Sequence, residues 1–338
     1  MNSIKILPIT DQVPFTAYQI RGYETGILLA NLANAEQFLF NYYINYFWRF
    51  ETKKIVFRYN EEKSSYFQGQ GIFYIQNYPW DKNHVSKEEI LDLILHWLDN
   101  GIYIFGSFNE KYIPCKGSFG KRNFVHGYQL HGFDRKQEIL YAMGYTKNQK
   151  FEIYTIPYSN FLDAIDKKKS STFWLKYLNR ERTYEFDLHR VYWELKDYLH
   201  SEYTVSNAPG RHPDDQYGIS ANRAFQRYIR NIENYRGHLD PRYSRLFYEH
   251  KFFMCKRLAY MHQNGYIENY NREYSALASK SQTLHFLFLK YDIKNDKRIL
   301  ESLDRLLEEI NNEDEKILNQ VLDELTEYFA RQKKEIYR

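Results

Sequence analysis

Cysteine is nearly absent from this 338-residue chain: Cys115 and Cys255 are the two it has. They stand far apart in sequence, which excludes a disulfide framework and a cysteine-based zinc site. Proline (8) and glycine (15) are scarce, while aromatics reach 18%, with 33 Tyr and 24 Phe. A disordered chain has the opposite bias, so this one is expected to fold throughout. An excess of one charge is also lacking: 47 Lys+Arg against 43 Asp+Glu gives +4, and the longest basic run is Lys167-Lys168-Lys169. Without a basic stripe, a nucleic-acid partner is not expected. No stretch approaches the ~18–20 apolar residues that span a bilayer. Met1 to Asp11 has no charged segment followed by an apolar one, so no signal peptide is expected. The expectation is a cytoplasmic protein without a membrane partner.

What is present is enough apolar sequence for two cores, and the length argues for two domains. Residues 1–16 read as an extended arm limited by Pro8 and Pro14. From Glu24 apolar residues recur at helical spacing, with a break at Asn31 and Asn34. Lys54–Tyr59 alternates like a strand, Gly69 and Gly71 mark a turn, and Ile72–Ile75 reads as a short strand. Ser86 with Glu89 gives a capping-box signal for a helix that ends near Asn100-Gly101. Strands are then predicted at Ile102–Phe108, Phe124–Phe133, Ile139–Tyr145 and Phe151–Ile156, with a short helix from Ser159 to Ile165. Short strands joined by tight turns imply an antiparallel sheet with packed helices, an α+β domain.

The polar segment 167–172 (KKKSST) is the predicted boundary, dividing the chain into residues 1–168 and an all-helical domain at 169–338. Helices are predicted at Leu188–Leu199, Ser220–Asn231 and Arg242–Gln263, with Asn207–Tyr217 as a polar loop. Ile299–Ile310 and Ile317–Phe329 read as a helical hairpin turning at Asn311-Asn312.

The segment from Asp99 to Asp134 carries the most chemistry. A strand ends, a loop passes Tyr112, Pro114 and Cys115, and the next strand bears His126 near its start and Gly132-Phe133-Asp134 at its end. This resembles the histidine-bearing hairpin of papain-like peptidases, including the bacteriocin-leader-processing group. It resembles more closely the N-terminal domain of the butirosin biosynthesis protein H family and its relatives in nonribosomal peptide gene clusters. Asp197-Tyr198-Leu199, Tyr217-Gly218-Ile219 and the stretch from Glu249-His250-Lys251 through Met254, Arg257 and Leu258 extend the resemblance over the second half.

The resemblance implies a papain-like fold for the first domain, and acyl transfer that forms an amide. The acyl donor would be a thioester on an acyl or peptidyl carrier protein, linked through phosphopantetheine, and the acceptor an amine. Such chemistry uses a thiolate, an imidazole that activates it and a group that orients the imidazole. The thiolate is expected at the start of the first core helix. The corresponding stretch, Tyr18–Leu29, holds no cysteine, with Arg21, Gly22 and Tyr23 at the expected place. The strand after His126 offers no Asp or Asn. His126 is therefore the candidate base and Cys115 the candidate nucleophile, with Tyr18, Arg21, Tyr23, Glu24, Tyr112 and Tyr128 as candidate cleft residues. A degenerate papain-like module that binds a carrier protein, a synthetase domain or a peptide is the alternative, and a peptidase the third reading. Cys255 reads as a buried structural cysteine on an amphipathic helix. Five residues apart on a strand, His126 and His131 should face opposite ways and so should not share a metal; no metal and no cofactor are expected. Glu249 should pair with Arg242 or Arg245 along its helix. The loop Arg211-His212-Pro213-Asp214-Asp215 is assigned no site.

Overall fold

The structure, a computed structural model, describes residues 2–51, 54–59, 71–80, 85–165, 172–204, 214–232 and 240–336. In chain order the elements are β1 (Ile4–Ile6), α1 (Gln19–Asn31), α2 (Ala35–Leu39), β2 (Tyr46–Glu51), β3 (Lys54–Tyr59), β4 (Phe73–Pro79) and α3 (Lys87–Asp99). Then come β5 (Tyr103–Asn109), a 3-10 turn (Glu110–Tyr112), β6 (Val125–Asp134), β7 (Ile139–Tyr145), β8 (Phe151–Pro157), α4 (Tyr158–Ala164) and β9 (Thr172–Leu178). Last are α5 (Leu188–His200), β10 (Gln216–Tyr217), α6 (Gly218–Arg230), α7 (Pro241–Gln263), α8 (Asn271–Lys294) and α9 (Lys297–Ile336). The expected turn residue Gly69, the run 167–171 and Arg211-His212-Pro213 lie outside the described residues.

The chain is α+β and forms two compact units: residues 1–35 with 67–184, and residues 36–66 with 185–338. This division differs from the expected one at 168/169. The reason is strand pairing. β9, placed beyond the boundary by the sequence reading, hydrogen-bonds to both β4 and β5 inside the first unit's sheet. The hairpin β2–β3 pairs with β10 and belongs to the second unit, so the latter is not all-helical.

In the first unit a sheet of seven strands runs in the order β4-β9-β5-β6-β7-β8, with β1 added to β6. All pairings are antiparallel. β1 pairs with the last three residues of β6 and β5 with the first six, so the long β6 holds the sheet together. A bulge between Leu130 and Gly132 breaks the alternation of β6. The capping box of α3 forms as the sequence implies. Glu89 N donates to Ser86 Oγ at 3.1 Å and Ser86 N to Glu89 Oε2 at 2.8 Å.

Helix α1 contains two glycines because it lies very close to its neighbours. A Cβ on Gly22 would stand 2.5 Å from the Phe151 ring, and one on Gly26 2.5 Å from Thr10 O. Ile27 and Leu28 are fully buried, each worth about 1.5–3 kcal/mol. This seating fixes the N-terminus of α1 and so sets one wall of the site described below.

In the second unit the predicted hairpin at Asn311-Asn312 is absent: α9 runs unbroken over 40 residues. No Gly or Pro interrupts it, and its buried stripe Leu303, Leu307, Ile310, Asp314, Leu318, Val321, Leu325 continues through the asparagines. Sequence reasoning also overlooked α8 and β2. Among the described residues no helix is long and apolar enough to cross a membrane.

Candidate functional site

The register of β5 against β6 sets Phe108 opposite His126 and Asn109 opposite Val125. The 3-10 turn after β5 therefore lies beside the start of β6. Asn109 holds it there, its Oδ1 accepting from Lys111 N at 3.2 Å and Phe124 N at 3.1 Å. Glu110 N donates to Phe124 O at 2.8 Å. The result is a buried Glu110 whose Oε1 is 3.2 Å from His126 Nδ1, while the imidazole itself is 41% exposed.

The imidazole also meets α1. Gln19, the first residue of that helix, donates from Nε2 to Gly127 O at 2.9 Å and lies 3.1 Å from His126 Nε2. A side-chain carbonyl could not donate to Gly127 O, so the amide orientation is fixed by that bond. Gln19 Nε2 is also 3.4 Å from His126 Nδ1, so the amide lies against the ring face; in the neutral tautomer with Nδ1–H donating to Glu110, the Nε2 lone pair points away from Gln19. Gln19 Oε1 is buried without a hydrogen-bond partner among the described residues.

A cavity of about 520 Å³ opens beside this pair. Glu110, His126 and Phe124 form one side, with the Phe124 ring 5.3 Å from the imidazole. Gly117, Ser118, Lys121 and Arg122 supply a second side, and Tyr145, Thr146 and Gln149 from the β7–β8 turn a third. Two bonds tie the loop to that turn: Lys147 N donates to Cys115 O at 2.8 Å, and Lys116 Nζ donates to Tyr145 O.

Of the residues expected in a cleft, His126 alone lines this cavity. Cys115 is half-buried and outside the lining. Burial pushes its thiol pKa up, against the opposing pull of Lys116, so the thiolate is disfavoured. Arg21 and Glu24 are buried in an ion triad: Glu24 Oε2 is 2.5 Å from Arg21 Nη1, and its Oε1 2.8 Å from Lys176 Nζ on β9. Burial alone would raise the Glu24 carboxyl pKa, but Lys176 and Arg21 outweigh it and hold it below its usual value. Tyr23 and Tyr128 are fully buried. Tyr23 donates to Gly127 O at 3.2 Å, and Tyr128 stacks on Phe108 with centroids 4.5 Å apart. Tyr18 is half-buried just before α1, and Tyr112 is exposed on the 3-10 turn. His131 is buried near Tyr141 and does not share the cavity. Cys255, expected to be buried, is half-buried on α7.

Two residues of the site escaped sequence reasoning. Gln19, rather than Arg21, Gly22 or Tyr23, faces the imidazole. Helix α1 has no side-chain cap at Tyr18, so nothing in the sequence marked its start. Glu110 takes the orienting place that was sought on the strand after His126. Pairing the two predicted strands so that Phe108 meets His126 would have brought it to notice. No protein-family model matches this chain, and no curated protein matches it.

Proposed function

We propose that this chain is a cytoplasmic accessory protein of natural-product assembly, of the nonribosomal peptide type, that forms an amide from a carrier-bound thioester and an amine. The observation that carries the reading is the half-exposed His126 imidazole, oriented by Glu110 at the wall of a cavity large enough for both reactants. A helix start facing a histidine strand of an antiparallel sheet supports a papain-like origin for the first unit.

With no cysteine in the cavity lining, the reaction is direct aminolysis. Nε2 of His126 takes a proton from the amine as its nitrogen attacks the thioester carbonyl. Glu110 stabilises the imidazolium. The tetrahedral oxyanion collapses, the C–S bond breaks, and the imidazolium returns the proton to the departing sulfur. The Gln19 amide, held on Gly127 O against the ring face, has a second N–H to offer the oxyanion. General-base catalysis of this kind contributes roughly 10²–10⁴-fold.

The test is the rate at which an acyl N-acetylcysteamine thioester acylates an amine. The wild type should exceed buffer, His126→Ala should lose about 100-fold or more, and Glu110→Gln should lose less. The Gln19 amide packed on the imidazole face favours a second reading, a module that binds the pantetheine arm without reacting. A wild-type rate equal to buffer, with binding of acyl-pantetheine retained, would select it.

A further inference from the structure

One wall of the cavity differs from the rest. It is the loop Lys116-Gly117-Ser118-Phe119-Gly120-Lys121-Arg122. Five of its seven backbone N–H groups are bonded: Lys116 to Ile113 O, Phe119 to Lys116 O, Gly120 to Lys111 O, and both Lys121 and Arg122 to Ser118 O. The two left without an acceptor among the described residues belong to Gly117 and Ser118, and both line the cavity. Successive backbone N–H groups turned to one side form a concavity suited to anionic oxygens.

The cations of the same wall are equally unsatisfied. Lys121 and Arg122 are exposed, line the cavity and meet no carboxylate among the described residues. The Arg122 guanidinium lies over the Phe124 ring at 5.5 Å, which aims it along the wall that carries His126. Elsewhere guanidinium groups find acids, as Arg49 does with Asp215 at 2.5 Å and Arg245 with Glu249 at 2.8 Å. Behind the loop the buried Lys116 ammonium is held by Tyr145 O over the Tyr154 ring at 4.3 Å. The nearby acids are already engaged: Glu110 on His126, and Glu152 accepting from Thr146 Oγ1 at 2.6 Å.

We propose that this wall binds the oxyanionic group, carboxylate or phosphate, of the amine acceptor and so presents its amino group to His126. The acceptor class would be amino acids, peptides with a free carboxylate, or aminoalkyl phosphates. This rests on the aminolysis reading above for the role of the amine, but the anion cradle itself is open to separate measurement.

The experiment titrates the whole chain with matched amines and follows the backbone ¹⁵N–¹H signals of Gly117 and Ser118. The probes are β-alanine, 3-aminopropanol and 2-aminoethylphosphonate. The anionic probes should shift both amides and the alcohol should not. The preferred anion identifies the group as carboxylate or phosphate. Lys121→Gln with Arg122→Gln should weaken anion binding about tenfold or more, with the fold checked by unchanged melting. Equal binding of the alcohol, or binding that the double variant does not alter, overturns the proposal. Running the aminolysis assay with the same amines separates it from the function. Acylation of 3-aminopropanol as fast as β-alanine sinks the cradle and leaves the function. Anion binding without any acylation keeps the cradle and sinks the function.

Discussion

Two polar clusters, one in each unit, use similar residues to opposite ends. In the second unit Lys251 and Asp314 are fully buried and 2.6 Å apart. Tyr198 OH donates to Asp314 Oδ2 at 2.6 Å, Tyr274 OH to Oδ1, and Lys251 also donates to Tyr198 OH at 2.8 Å. His250 completes the cluster, its Nε2 2.8 Å from Ile44 O and its ring stacked on Tyr198. In the first unit the His126–Glu110 pair has an exposed imidazole, an unpartnered Gln19 oxygen and a cavity in front. The cluster of the second unit is closed, with His250 Nδ1 alone of its side-chain polar atoms lacking a hydrogen-bond partner among the described residues, and that of the first unit is open. A closed network specifies a fold; an open one leaves groups free to meet a ligand.

The comparison predicts where substitution will hurt stability and where it will not. Asp314→Ala strands the buried Lys251 ammonium and should cost about 3–5 kcal/mol in urea unfolding. The double variant Lys251→Met/Asp314→Leu, which removes both charges, should cost less than the single one. A single loss under about 1 kcal/mol would remove the distinction between the clusters.

Acid should act next. Burial holds the His131 imidazole down to about 4, and burial with Lys251 holds His250 well below its usual value. Unfolded histidine titrates near 6.5, so the unfolded chain binds protons first. Stability should be full above pH ~6.5 and decline as pH falls, by up to about 3 kcal/mol for His131 by pH ~4. Glu24, with a depressed carboxyl pKa, adds its loss below the ordinary carboxylate range. Stability that rises on acidification from pH 7 to 5 would contradict this. Smaller still is Ser86→Ala, which removes one half of the α3 capping box and should cost about 1 kcal/mol in thermal or urea unfolding.

Much of the first unit was legible because its strands are short, alternating and bounded by turns. Four successive strands and the α3 cap were read nearly to the residue. β9 was missed because a charged segment precedes it, and local composition says nothing about pairing with β4 and β5. α9 was broken in two because its asparagines read as a turn, although Asn311 is buried within an unbroken stripe. The second-half motifs have a structural meaning the sequence did not disclose. Gly218, with φ +50, sits where a Cβ would meet Tyr198 O at 2.0 Å. Arg257 holds Phe40 O and Tyr42 O at 2.8 and 2.6 Å, and Glu249 pairs with Arg245 as its spacing implies. At the site, the family resemblance singled out His126, which lines the cavity. Glu110 and Gln19 were not found, because they reach the imidazole through register and helix seating.

The central claim is that His126 acts without a cysteine thiolate. The direct measurement compares aminolysis rates of Cys115→Ser and His126→Ala with the wild type, using one thioester and one amine at fixed pH. The account predicts a Cys115→Ser rate within about twofold of wild type and a His126→Ala rate lower by about 100-fold or more. Loss of activity in Cys115→Ser, with His126→Ala still active, would contradict it.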